Sequence, residues 1–203
     1  MATTDATERA VRLPAPLRRR QLLDTALVAF ADRSFHTVSM DEVAEAAGVT
    51  KPVLYQHFGS KRALYLELLE DVGARLSQAI TEATLAASGP HGRVEAGFRA
   101  YFQFVQAQEA AFRLLFGGGA RRDREFRQAV REVENGIAST VAAQIDADID
   151  DDHRRLLAHG VVGLAESTCR HWLGSVPRHP SPDVLAKRIG DMAWAGLRGV
   201  HRD

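Results

Sequence analysis

The chain has a single cysteine, Cys169, among 203 residues. A lone thiol makes no internal disulfide, so the expected setting is a reducing cytoplasm. Within GLAESTCRHWL it reads as a small buried apolar group. No apolar run approaches about 18 residues, which argues against a membrane-spanning helix. The opening residues, MATTDATERAVRLPAP, lack the apolar stretch of a secretory signal. An excess of one charge is also missing, because 26 Lys and Arg offset 26 Asp and Glu. Any case for nucleic acid must therefore rest on local charge. Lysine is scarce, three residues against twenty-three arginines, a bias that fits GC-rich coding better than function. Catalytic patterns are lacking too. The eight histidines form no HExxH or HxH pair, there is no GxSxG, and GGGA at 117–120 is not followed by the Lys-Ser/Thr of a phosphate loop. The chain reads as a non-enzyme with no catalytic residue, metal site or cofactor.

What is present is helical periodicity, with no strand alternation beyond a few residues and no internal repeat. Residues 1–16 are polar, end in Pro14 and Pro16, and are expected to form a disordered arm. Leu23, Ala26, Leu27 and Phe30 then mark one buried helix face ending near Arg33. Ser39 followed by Glu42 has the spacing of a capping box, opening a short helix that Gly48 stops. Thr50 can cap a third helix, with Pro52 tolerated in its first turn. Ser60 opens a fourth, striped by Leu64, Leu68, Leu69, Val72, Leu76 and Ile80. SGPHG at 88–92 reads as a break. Helices are then expected over about 93–108, over AAFRLLF, over a polar, charged 121–145, over 153–174 and over 182–200. GGGA is a loop, DADIDDD an acidic loop, and VPRHPSP a linker. The fold class is all-α with about nine helices.

The stretch GVTKPVLYQHFGSK, residues 48–61, carries the chemistry. Ala44 lets two helices approach, while Val49, Leu54 and Phe58 fill the space between them. This is the logic of a helix-turn-helix, whose second helix enters the major groove. Lys51 can then reach a base edge or a phosphate, Pro52 and Val53 a thymine methyl, and Gln56 an adenine. Thr50, Tyr55, His57 and Lys61 are candidates for phosphate contacts, as are Thr37 and Ser39 at the start of the preceding helix. Arg18, Arg19 and Arg20 are placed to meet the DNA backbone or a neighbouring minor groove. Each feature has a plainer reading. Helix pairs with a glycine turn are common, a Tyr-x-His-Phe cluster can be surface plus core, and three adjacent arginines are usually a solvated face.

TVSMDEVAEAAGVTKPVLYQHFGSKRALY, residues 37–65, resembles the DNA-binding signature of the tetracycline-repressor family. The likeness is carried by Ala44, Ala47-Gly48-Val49, Thr50-Lys51, Leu54-Tyr55, His57-Phe58 and Ser60-Lys61. It implies base contacts from Lys51, Pro52, Val53 and Gln56, and phosphate contacts from Thr50, Tyr55, His57 and Lys61. Val53 departs from the family, which often has a small or hydroxylated residue there, and this puts one hydrogen bond to DNA in doubt. The resemblance implies a helix-turn-helix DNA-binding domain over 17–62 and an effector-binding and dimerisation domain over 63–203. The expected partners are a double-stranded, near-palindromic operator, a second copy of the chain, and a small apolar effector, with repression as the default sign and no membrane role. KPVLYQHF, FRLLF and VVGLAESTCRHWL further resemble actinobacterial members of the family that regulate fatty-acid synthesis and respond to long-chain acyl compounds. The alternative is a helical dimer that binds a small molecule without DNA.

The candidate dimer surface comprises Gly160, Gly163 and Ser167, which allow close backbone approach, and the stripe Leu185, Ile189, Met192, Ala193 and Gly196. The plainer alternative for these helices is an intramolecular core only. The candidate effector pocket comprises Leu68, Val72, Phe98, Tyr101, Phe102, Val105, Phe112, Phe116, Leu164, Thr168 and Trp172, although aromatic stripes at helical spacing also serve as ordinary core. Loss of specific DNA binding in Tyr55→Phe or Lys51→Ala, with unchanged circular dichroism, is the expected outcome of a salt-controlled mobility shift. Unchanged binding in both variants would remove the assignment of the reading helix.

Overall fold

The computed structural model describes residues 13–117, 123–174 and 180–200. Among them are nine helices: α1 (Ala15–Asp32), α2 (Met40–Ala46), α3 (Lys51–His57), α4 (Lys61–Ala86), α5 (Gly89–Ala107), α6 (Glu109–Phe116), α7 (Arg124–Ala142), α8 (Asp151–Gly174) and α9 (Pro182–Leu197). The all-α expectation and the helix count therefore hold. Most of the expected arm, most of GGGA, and residues 176–179 of the linker lie outside the described residues. Pro14 is extended as the N-cap of α1, whereas Pro16 is taken into the helix, because a proline fits the first turn, where backbone N–H groups have no helical partner. The break at 88–92 shrinks for the same reason: α5 begins at Gly89 with Pro90 in its first turn.

Local chemistry fixes the first three helices. The Ser39 hydroxyl accepts from the Glu42 N–H at 3.2 Å, and the Glu42 carboxylate accepts from the Ser39 N–H at 2.7 Å, which completes the capping box. Gly48 turns the chain with φ +66°, a left-handed conformation that side chains with a Cβ disfavour. Val43, Ala44, Leu54 and Phe58 are buried between α1, α2 and α3. The start of α4 then joins this unit to the rest. Tyr65 stacks among Phe30, Phe35 and Phe126, with ring centroids 4.5–5.2 Å from it. Arg62 lies over Phe126 and bonds Asp123 at 2.9 Å and Glu125 at 2.7 Å, tying the first turn of α4 to the first turn of α7.

The segment containing α7 was expected to be a polar, charged helix, and here the structure corrects the sequence reading. Phe126, Val130, Val133, Ile137 and Val141 recur at helical spacing, and Phe126, Val130 and Ile137 are buried. α7 lies along α4. A Cβ added at Gly73 of α4 would come within 2.6 Å of both methyls of Val133, so the contact exists only because residue 73 has no side chain. α9 makes a similar approach to α5, where a Cβ added at Gly190 would stand 3.3 Å from the Glu95 Cα. The remaining core consists of α5, α6 and α8 side chains, including Phe102, Phe116 and Trp172. Cys169 is buried, and burial pushes its thiol above the ordinary range.

Gly73→Ala is expected to lower the stability of the folded chain by about 1–3 kcal/mol, as overpacked cores do. The measurement is a urea titration followed by circular dichroism. An unchanged midpoint would mean that Val133 moves aside at no cost and that the α4–α7 contact is looser than it looks.

Candidate nucleic-acid interface and effector cavity

α3 is anchored by Leu54, which is fully buried, and by Phe58 at its C-terminal end. Its other residues face outward. Thr50, Lys51, Pro52, Tyr55 and Gln56 are exposed, while Val53 and His57 are half-buried. The Thr50 side chain makes no cap hydrogen bond. Lys51 Nζ pairs with Asp41 of α2 at 2.9 Å, a contact between two exposed groups that raises the Lys51 pKa. Sequence reasoning passed over Asp41. Its signal was an acid in the first turn of α2, ordinarily explained by the helix dipole. Ser39 is exposed and accepts a bond from Glu42, which leaves its own proton for a phosphate.

Three of the expected phosphate contacts have partners within the chain. Arg19 turns inward: Nε donates to Glu67 at 2.8 Å, Nη1 donates to the His57 carbonyl at 2.6 Å, and the guanidinium lies 4.5 Å from the Phe58 ring centroid. It clamps α1 to the end of α3 and to α4. Thr37 uses its hydroxyl proton and its N–H on the Ser34 carbonyl, so it closes its own turn. Lys61 lies 4.5 Å over the Phe35 ring, and burial lowers its pKa. Arg18 bonds only its neighbour Gln21, at 2.6 Å. Arg20 bridges Asp24 and Asp71 and so also ties α1 to α4. Bonds from the Ser39 N–H and from Arg33 hold Glu42 near a pKa of about 2, against an ordinary 4.5. Because the folded value is depressed, this contribution is present above pH 4.5 and is lost as pH falls through about 2.

Between the far half of α4 and helices α5, α7, α8 and α9 lies a cavity of about 540 Å³. That volume is within the usual range for a small-molecule site. Its walls include Ile80, Val94, Phe98, Ile137, Val162 and Ala165. Polar groups gather where α5 begins and α9 ends: Arg93, Gln144, Asp146, Asp148 and Arg198. Of the expected pocket residues, Phe98 and Tyr101 line it. Leu68, Val72, Phe102, Val105, Phe112, Phe116 and Trp172 are instead packed in the core, and Leu164 and Thr168 are half-buried but not in its wall. The reason is position. Leu68 and Val72 sit in the near half of α4, Phe112 and Phe116 belong to α6, and the cavity opens beside Ile80 and Thr84.

The two C-terminal helices divide differently from expectation as well. Gly160, Gly163 and Ser167 are exposed on α8, in register with Leu156, which is 70% exposed. On α9, however, Leu185 is buried, and Ile189 and Ala193 pack against the core. α9 thus uses that stripe on its own chain. Val184 and Met192 are its exposed large apolar residues, and Gly196 is exposed as well. No helix among the described residues is long and apolar enough to cross a membrane.

Residues 22–68 match the bacterial regulatory proteins of the tetR family, and residues 90–196 match the tetracyclin repressor-like C-terminal domain. The chain belongs to the TetR family. The transcriptional activator FasR of Mycolicibacterium smegmatis is 32% identical over 194 residues, covering 95% of this chain and 88% of FasR. The regulator BetI of Agrobacterium fabrum is 30% identical over 165 residues, covering 80% of each. A TetR-like regulator from Rhodococcus sp. RHA1 superimposes with a TM-score of 0.73 at 26% identity, over 93% of this chain and all of that one. FadR of Bacillus subtilis, solved with stearoyl-CoA, shares the fold with a TM-score of 0.74 at 16% identity, over 90% of this chain and 99% of that one.

Asp41→Asn is expected to free Lys51 and remove a negative charge from the groove-facing side of each copy. Binding to unrelated duplex DNA at low salt should tighten severalfold, as titrations of a labelled random-sequence duplex would show. Equal affinity for the two proteins would mean that the Asp41–Lys51 pair has no part in how α3 meets DNA.

Proposed function

We propose that this TetR-family regulator acts as a homodimer on a near-palindromic operator and that a small apolar effector of the long-chain acyl class sets its occupancy. The observation that carries the reading is the course of α4. One end of this helix is fastened to the reading head through Arg19–Glu67 and Tyr65, and the other end forms the cavity wall at Ile80 and Thr84. Thr50, Lys51, Pro52, Val53, Tyr55, Gln56 and His57 are the proposed DNA contacts on α3, joined by Ser39 and Arg18. Gly160, Gly163 and Ser167, with exposed Leu156 and Met192, are the proposed dimer surface. The domain division follows the same line, with the head over 17–62 and the effector and dimerisation region over 63–203.

The effector class rests on the apolar walls and on the resemblance of KPVLYQHF, FRLLF and VVGLAESTCRHWL to regulators of fatty-acid synthesis. A chain fills the apolar part, and a charged head stays near Arg93 and Arg198 at the polar end. Ligand entry changes DNA affinity only through its different affinity for the two arrangements of α4. The sequence leads one to expect repression, whereas FasR carries the name of an activator. The sign depends on where the operator lies relative to a promoter, so the proposal concerns occupancy.

Selection of binding sites from random duplex DNA is expected to yield inverted half-sites with centres about one helical turn apart. With about 8 phosphate contacts per dimer, log K should fall against log salt with a slope near −7. Dodecanoyl-CoA should shift occupancy of the selected site. An asymmetric single site or a slope near zero would overturn the DNA reading, and indifference to acyl-CoAs of every length would overturn the effector reading.

A further inference from the structure

One residue of the cavity wall carries a buried hydroxyl that has no bond among the described residues. Tyr101 is 3% exposed and lines the cavity, and its Oη has no hydrogen-bond partner there. Leaving a buried hydroxyl unpaired forfeits the hydration it had in water, and folded interiors mostly avoid this. Burial also raises the Tyr101 pKa well above that of an ordinary phenol, so the group remains a donor. Tyr101 stands eight residues beyond Arg93 on α5, about 12 Å farther along the helix axis from the polar end. The cavity walls beside it include Phe98, Val162 and Ala165, the hydroxyl of Thr84 already donates to the Thr81 carbonyl, and Glu134, Glu166 and Arg170 act on the phenol only through their charge.

We propose that the cavity selects an apolar chain whose leading end carries an oxygen acceptor, a hydroxyl or carbonyl, and that Tyr101 Oη donates to it. The inference rests on the acyl reading above and narrows it: an unsubstituted methyl end leaves Tyr101 unpaired, whereas an oxygenated end pairs it. A coenzyme A head is too large and too charged for the apolar interior, so it remains at the Arg93 and Arg198 end and the far end of the chain meets Tyr101. A terminal hydroxyl entering an apolar site with no partner loses affinity, which makes a preference for it diagnostic.

The test is calorimetric binding of decanoyl-, dodecanoyl- and tetradecanoyl-CoA and their ω-hydroxylated counterparts to the full-length protein and to Tyr101→Phe. At the best-fitting length the natural chain is expected to bind the ω-hydroxylated form about tenfold more tightly, the size of one good hydrogen bond. In Tyr101→Phe that preference should vanish while affinity for the methyl-ended form is kept. The variant removes an unpaired group, so its thermal midpoint should not fall. A wild-type preference for methyl-ended chains at every length, or an equal change for both forms in the variant, would overturn the inference and leave the acyl reading standing. Binding of none of the six compounds to the natural chain would overturn both.

Discussion

The contact of Gly73 with Val133 is the constraint on which the rest of the structure depends. It brings α4 and α7 so close that no side chain fits at residue 73. Both helices run from the reading head to the cavity. α4 begins beside Phe58 and Arg19 and reaches Ile80 and Thr84, while α7 begins under Phe126 and Asp123 and reaches Val141 and Gln144. Close-packed interiors transmit a displacement when they have no slack to absorb it. At the near ends Arg62 holds α7 to α4, and Arg19 and Arg20 hold α4 to α1. Under the proposed effector reading, a displacement at the cavity would therefore carry the head along with α4.

Arginine is abundant here, and several of its described members serve joints between helices. Arg19 and Arg20 join α1 to α4, Arg62 joins α4 to α7, and Arg113 joins α6 to α1 through Asp32. Arg75 reaches Gln108 at 2.7 Å, and its Nε stands 3.1 Å from Asp71 Oδ2 without the alignment of a hydrogen bond. Half-exposed ion pairs add little stability each. Their value lies in geometry, because planar guanidinium groups hold two helices at a fixed offset. A chain of zero net charge can therefore bind DNA through a few groups on one short helix while many of its other cations are spent on acidic partners of the same chain.

The helix-turn-helix was legible because its signals are local. Ser39 with Glu42, Gly48, and Thr50 with Pro52 lie within 14 residues, and each acts on backbone groups a turn away. The role of Arg19 was hidden because Glu67 is 48 residues distant. The stripe of Leu185, Ile189 and Ala193 was visible as buried, but periodicity says that a face is covered and not by what. The cavity was the least legible feature. Aromatic clusters drew attention to Phe102, Phe112 and Phe116, yet large rings fill space. The walls are largely medium-sized residues such as Ile137, Val141 and Ala165, brought together from five helices whose combined packing falls short of closing. No local pattern records such a shortfall. The reading of α7 was incomplete because its charged residues crowd the first half of the helix, although its large apolar residues keep helical spacing.

The size of α3 explains why the rest of the chain is needed. Seven helical residues span about 10 Å, and so few exposed side chains distinguish only a few base pairs. A second copy doubles the sequence read, but only if both helices meet successive major grooves at once. The operator then measures a distance between two heads rather than the shape of either one. Exposed Leu156, Gly160 and Gly163 on α8 lie on a helix that shares the cavity wall through Val161, Val162 and Ala165. The face proposed for a second copy and a wall of the cavity thus belong to one rod, with α4 as the other wall. In the proposed mechanism, filling the cavity would change the angle between the rod that fixes the pair and the rod that carries the head. A small rotation at the cavity becomes a larger displacement at the end of a helix of 26 residues, about 39 Å long.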